Sequence, residues 1–168
     1  MNDVVIAEAT SEADYALART LFEEYAKSIA VDLCFQDFSA ELERLPAMYG
    51  PPSGALLTIQ AGNDVAGCVG VRRFRDDVCE MKRLYVRPSF RGRQFGRRLA
   101  MAIAQRARGL GYRTMVLDTL SSMAAARELY VSMGFKAAPA YYPNPLPDVA
   151  YLALDLREHP GDAAAITT

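Results

Sequence analysis

The chain has 168 residues, 51% of them hydrophobic and 23% charged, with a formal net charge of −1 at pH 7. That size and balance suit one globular domain with a core of its own and exclude low-complexity or fibrous classes. No run approaches the roughly 18 apolar residues that a bilayer-spanning helix needs, and the start, with Asp3 and Glu8, lacks a basic-then-apolar leader, so a cytoplasmic protein with no membrane partner is expected.

Taken in chain order, Val4 to Ala9 reads as a first strand. Thr10 or Ser11 can cap a helix through about Ser28, with Leu17, Leu21, Phe22 and Tyr25 on its apolar face. Asp32 to Phe38 reads as an irregular connection and Ser39 to Met48 as a second helix, ended by Gly50-Pro51-Pro52-Ser53-Gly54. Ala55 to Gln60 and Val65 to Phe74 form a hairpin around Ala61-Gly62-Asn63-Asp64. Asp76-Asp77 turns the chain into a strand, Glu80 to Val86, followed by Arg87-Pro88-Ser89-Phe90. Phe95, Leu99, Ala102, Ile103 and Leu110 then recur at helical spacing until Gly109-Leu110-Gly111. Arg113 to Asp118 is a short buried strand, and Ser121 or Ser122 starts a helix that carries Tyr130. Ala137 to Tyr142 and Ala150 to Leu156 read as two last strands, joined by the loop from Pro143 to Asp148. The pattern makes residues 1–156 a single domain and 157–168 a frayed polar tail.

The most informative stretch is Arg91-Gly92-Arg93-Gln94-Phe95-Gly96-Arg97. A strand, a glycine-bearing turn and a helix start make an anion site, because the first helical N–H groups lack partners and the helix dipole favours negative charge. Glycine lets the backbone approach a ligand, and flanking arginines can pair with phosphate through two bonds. The spacing fits neither a P-loop nor a dinucleotide fold.

It does fit Q/R-x-x-G-x-G/A, with Arg91 first, Gly96 last and Gln94 in place of the inner glycine. Further on, Ala126-Arg127-Glu128-Leu129-Tyr130-Val131-Ser132-Met133-Gly134-Phe135 matches A-x-x-L-Y-x-x-x-G-F, with Met123 where an asparagine is common. The two motifs together, over roughly residues 4 to 156, resemble the GNAT N-acetyltransferase superfamily. The resemblance implies an α/β (α+β) fold with a mixed, mostly antiparallel central sheet of six to seven strands flanked by about four helices. It implies acetyl-CoA as cosubstrate, direct transfer in a ternary complex to a primary amine, and no metal. The backbone around Leu84, Tyr85 and Val86 would hold the pantetheine arm, and Arg91, Gly92, Arg93, Gln94, Phe95, Gly96 and Arg97 the pyrophosphate. The strand before the motif would splay from its neighbour, as a bulge can produce.

By the same resemblance Glu80, 11 residues before Arg91, would be the general base, acting through water, and Tyr130 the acid that protonates the leaving sulfur. Both have a plainer reading: Glu80 as an ion-pair partner of Lys82, Arg72 or Arg73, and Tyr130 as a core residue. A strand period of two places Glu80, Lys82, Leu84 and Val86 on one face. Tyr25, Phe35, Arg72, Lys82, Tyr141 and Tyr142 are the candidate acceptor residues, and a small acceptor with an amine and an acidic group is expected.

Charge is unevenly spread. Residues 72–113 carry 13 of the 19 Lys and Arg but only Asp76, Asp77 and Glu80, so that segment is +10 and the rest −11. A coenzyme A site explains the cluster more locally than nucleic acid, which is not expected as a partner; a non-catalytic coenzyme A sensor keeps the fold but leaves Glu80 and Tyr130 unused. Cys34, Cys68 and Cys79 suit free buried thiols, and the single histidine, His159, lies in the tail, so a histidine triad or multi-histidine metal site is excluded. A monomer or homodimer is expected.

Overall fold

The computed structural model describes residues 3–29, 32–33 and 37–158. Among them, seven strands form one sheet with five α-helices around it. β1 (Val4–Glu8), β2 (Ala55–Ala61), β3 (Asp64–Arg75) and β4 (Val78–Val86) are an antiparallel meander, each strand pairing with the next. β5 (Thr114–Leu120) joins β4 in parallel. β7 (Val149–Asp155) pairs antiparallel with β5 and with the two-residue β6 (Lys136–Ala137). The order is β1-β2-β3-β4-β5-β7-β6, the mixed, mostly antiparallel sheet expected. Its parallel pair needs a crossover, which α4 (Phe95–Gly109) supplies.

Alternation along the strands sends side chains into two cores. On β2, Leu57 and Ile59 pack with α4 while Leu56 packs with α1 (Glu12–Ser28). Ser11 caps α1: it accepts from the Asp14 amide, and its own N–H donates to the Asp14 carboxylate. Leu21 and Phe22 are buried beneath that helix. Phe95, Leu99 and Ile103 are buried beneath α4, each worth about 1.5–3 kcal/mol of apolar transfer. Gly70 is required by packing, since a Cβ there would lie 2.7 Å from the Tyr49 ring.

Three elements differ from the sequence pattern. The helix expected over 39–48 is two, α2 (Phe38–Glu43) and α3 (Leu45–Tyr49), broken at Arg44. Pro46 has no N–H to continue the first helix and is tolerated only in the opening turn of the next. The helix carrying Tyr130, α5 (Ala124–Met133), starts after Met123 rather than at Ser121 or Ser122. Ser121 instead donates its N–H to the Asp148 carbonyl, which holds it in the preceding turn. The strand expected over 137–142 contracts to β6, because Tyr141 and Tyr142 leave the sheet to place their hydroxyls on Glu80 and Asp118.

The opposed charges meet across the fold. Arg106 pairs with Glu8, Arg87 with Glu24 and Arg83 with Glu41, so acids from the N-terminal third neutralise much of the basic segment. Cys68 and Cys79 are buried free thiols, and burial pushes Cys79 up to about 12. Cys34, Phe35, His159 and the tail beyond residue 158 lie outside the described residues.

Candidate active site

The site is where β4 and β5 part. Their ladder pairs only Val78, Cys79 and Glu80 with Thr114, Met115 and Val116, although β4 runs on to Val86 and β5 to Leu120. The cause lies on the other edge of β4. Lys82 pairs with Gly70 and Tyr85 with Cys68, so Arg83 and Leu84 together oppose Val69. Arg83 takes φ 60°, in the left-handed region. This is the expected bulge, and it bends the strand.

The bulge also changes which side chains share a face. Glu80 and Lys82 face the α1–α3 side, but Leu84 and Val86 pack against the core beneath α4, and Tyr85 takes the α1 side. The uninterrupted alternation expected from Glu80 to Val86 ends at Lys82, because an inserted residue reverses the parity of all that follow.

Two connected clefts occupy the gap. The larger, about 510 Å³, is lined by Leu84, Tyr85 and Val86 on one side and by Arg91, Gly92, Gln94, Phe95 and Gly96 on another. The smaller, about 50 Å³, lies deeper and includes Lys82, Arg83, Asp118, Asn144 and Tyr130. Tyr25, Ile29, Leu84 and Met123 line both.

The larger cleft has the features of an anion cradle. No side chain caps the start of α4, which leaves its first N–H groups for a ligand. Gly92 has φ 78°, and Gln94 has φ 64° and ψ 15°, so a glutamine holds the left-handed conformation in which glycine is usual. Gly96 differs: its backbone is helical, and an added Cβ would be 3.8 Å from Val86 and 3.9 Å from Leu129, ordinary contacts. Folding does not demand glycine at 96, whereas a ligand lying against the helix end would. Arg91 donates through Nε to the Val86 carbonyl at 3.2 Å. Arg93 lies over the Phe90 ring and Arg97 donates to Ser132 on α5; neither lines the cleft, so of the seven motif residues these two act at its margin.

Of the proposed acceptor residues, Tyr25 and Lys82 line the small cleft. Arg72 and Tyr141 instead converge on Glu80, which is 1% exposed. Arg72 Nε donates to Glu80 Oε1 at 2.9 Å, Tyr141 donates to Oε2 at 2.5 Å, and Lys82 Nζ is 3.9 Å from Oε1. Glu80 lines neither cleft, and its contacts match the ion-pair reading. Burial, then the Glu80 charge, holds the Tyr141 phenol well above its usual range. Tyr142 and Asn144 both donate to Asp118 Oδ2, the latter at 2.9 Å.

Tyr130 is buried, and its hydroxyl has no hydrogen-bond partner among the described residues. Burial, and after it the charges of Tyr25 and Asp118, keeps its phenol protonated well beyond the usual range. Burial, and next to it Arg83, pulls Lys82 down to about 8. Asp118 and Ile29 are site residues that the sequence pattern did not single out, while Met123 stood out only as the position where an asparagine is common and Asn144 only as part of the loop from Pro143 to Asp148. The available signal was a lone carboxylate near the end of an apolar strand.

Comparison with known proteins agrees with this geometry. The model of the acetyltransferase (GNAT) family matches residues 16–135. An uncharacterised N-acetyltransferase of Schizosaccharomyces pombe is 44% identical over 140 residues, 82% of this chain and 86% of that one. This chain belongs to the GNAT acetyltransferase family. It is accordingly an acyltransferase with the family's fold. A GNAT acetyltransferase structure from Staphylococcus aureus superposes with a TM-score of 0.75 at 17% identity, covering 92% of this chain and 99% of that one. The acetyltransferase yncA of Salmonella typhimurium, solved with its cofactor acetyl-CoA, superposes with a TM-score of 0.69 at 23% identity, covering 95% and 97%. Acetyl-CoA-dependent transfer is general for the family. Among the described residues no helix is long and apolar enough to cross a membrane.

Proposed function

We propose that the protein transfers an acetyl group from acetyl-CoA to the primary amine of a small acceptor that also carries a carboxylate, by direct attack in a ternary complex. The observation that carries this reading is the junction of the two clefts at Tyr25, Ile29, Leu84 and Met123, where a cosubstrate and an acceptor can meet. Acetyl-CoA, when bound, supplies an activated acyl carbon and a thiol leaving group. In this reading the start of α4 with Arg91, Gly92, Gln94 and Gly96 holds the pyrophosphate, and the free edge of β4 at Leu84 and Val86 the pantetheine arm. Tyr130, kept protonated by burial, is the proton donor to the sulfur. Lys82 and Arg83 both line the small cleft, Arg83 paired with Glu41 and Lys82 beside Glu80, and cationic groups on that wall support an acceptor bearing a carboxylate; Tyr25 and Tyr130 are its aromatic walls.

The test is a screen of amines, amino acids and peptides with free-thiol release as readout, followed by comparison of the best amino acid with its carboxyl-amidated form. Amidation is expected to raise KM. Tyr130→Phe is expected to cut turnover about 10²–10⁴-fold while leaving acetyl-CoA binding intact. Unchanged KM on amidation, or a clear preference for polyamines, would refute the carboxylate. Absence of turnover with every amine would refute the whole reading.

A further inference from the structure

Proton removal from the acceptor needs a base inside the small cleft, and Glu80 is not on its wall. Asp118 is. It stands on β5 beyond the last residue paired with β4, and it lines the small cleft with Tyr25, Lys82, Arg83 and Tyr130. Tyr142 and Asn144, from the loop between β6 and β7, both donate to its Oδ2, and Asn144 is itself 3.0 Å from the Tyr142 hydroxyl. Leu146 donates its N–H to Asn144 Oδ1 at 3.0 Å, which fixes the amide with its NH₂ toward the carboxylate. Oδ1 of Asp118 has no hydrogen-bond partner among the described residues. Two donors on one oxygen and none on the other leave a carboxylate oriented from behind, with one oxygen available to a ligand.

We infer that Asp118 is the residue that binds the acceptor's ammonium and takes its proton, held in position by Tyr142 and Asn144. This inference rests on the acetyl-transfer reading above. The ammonium proton passes to Asp118 Oδ1, and the freed nitrogen lone pair forms the new C–N bond as the thioester C–S bond breaks. Tyr130 gives the departing sulfur its proton, the acylated nitrogen loses its second proton to solvent, and solvent takes the proton from Asp118 and restores that of Tyr130, so that one proton is released for each acetyl group transferred. The charged and titratable groups facing Asp118 are Tyr25 of α1, Lys82 and Arg83 of β4, Tyr130 of α5, Tyr151 of β7, its cross-strand partner, and Tyr141 and Tyr142 of the loop. Glu80 then plays a supporting part, since with Arg72, Lys82 and Tyr141 it anchors the wall on which the acceptor rests.

The decisive measurement is kcat/KM against pH for the parent, Asp118→Asn, Tyr142→Phe and Glu80→Gln, using the best amine from the screen. The acetyl-CoA thermal shift of each variant checks folding and cofactor binding separately. Asp118→Asn is expected to lose about 10²–10⁴-fold near neutral pH, and the acidic limb of its profile to disappear. Tyr142→Phe removes one hydrogen bond to the carboxylate, so its acidic limb should move to higher pH, a change that mere loosening of the loop would not produce. Glu80→Gln should lower the rate and leave that limb where it is. An Asp118→Asn profile that overlays the parent's overturns the inference. So does an acidic limb that follows Glu80, or, if Asp118→Asn does not fold, an unmoved limb in Tyr142→Phe. If the parent turns over no amine, the acetyl-transfer reading falls first and this inference with it.

Discussion

Replacing Glu41 by glutamine isolates the pair that holds the bulge in β4. Glu41 is 2% exposed and Arg83 5%, and they are joined by two bonds, Nε to Oε2 at 2.9 Å and a terminal nitrogen to Oε1 at 3.3 Å. The Arg83 guanidinium also lies 5.1 Å from the Phe38 ring centre and 5.7 Å from that of Tyr25. Burial alone would lower its pKa, but the Glu41 charge and hydrogen bonds outweigh that and hold it above the usual range. Glutamine keeps the shape and removes the charge, so a buried cation loses its counter-ion and meets an amide NH₂. Breaking a buried pair from one side costs about 3–5 kcal/mol. In a domain of this length that lowers Tm by roughly 6–20 °C. Urea unfolding and scanning calorimetry measure it, with Glu41→Leu/Arg83→Met as the companion. Removing both charges should recover most of the loss, because the penalty belongs to the orphaned cation and not to the missing attraction. Acetyl-CoA affinity should fall with Glu41→Gln, since Arg83 sets the bend that opens the cleft. A loss below about 1 kcal/mol, or a double variant no more stable than the single one, would refute this account of the bulge.

Gly96→Ala should fold nearly as the parent does, because the Cβ site has only ordinary contacts, yet it should sharply reduce the acetyl-CoA thermal shift. At 100 times Kd that shift is about 2.7 kcal/mol in the parent, roughly 5–10 °C, and an equal shift in the variant would remove the helix end from the cofactor site. Lys82, at about 8 in the folded chain against an ordinary 10.5, gives a pH signature. Between those values the unfolded chain holds a proton that the folded chain has released, so stability rises with pH, by up to about 3 kcal/mol over the full window. From pH 8 to 10 the urea midpoint of the parent should rise relative to that of Lys82→Met, the buried thiols and phenols titrating alike in both, and parallel series would refute the assignment.

Local periodicity and local chemistry were enough for much of this molecule. The Ser11 cap with Asp14 behind it, the stripe from Phe95 to Ile103 and the hairpin at Gly62 all arise from neighbours within one element. The turn from Arg91 to Gly96 could be read as an anion site because its chemistry lies in consecutive backbone groups. Pro46 carried a break that helical spacing masked, and Tyr141 and Tyr142 looked like strand residues because nothing near them in sequence reveals a carboxylate 61 and 24 residues away.

The sequence by itself therefore determined the family and the order of the elements, and it marked the turn proposed to hold the cofactor. Tertiary structure alone decided the allotment of charges: Glu80 to Arg72 and Tyr141, Arg83 to Glu41, and Asp118 to the wall of the cleft. One residue made the difference. The bulge at Arg83 reverses the inward–outward parity of β4 and parts it from β5, and a sheet register is a property of paired strands that no single strand carries.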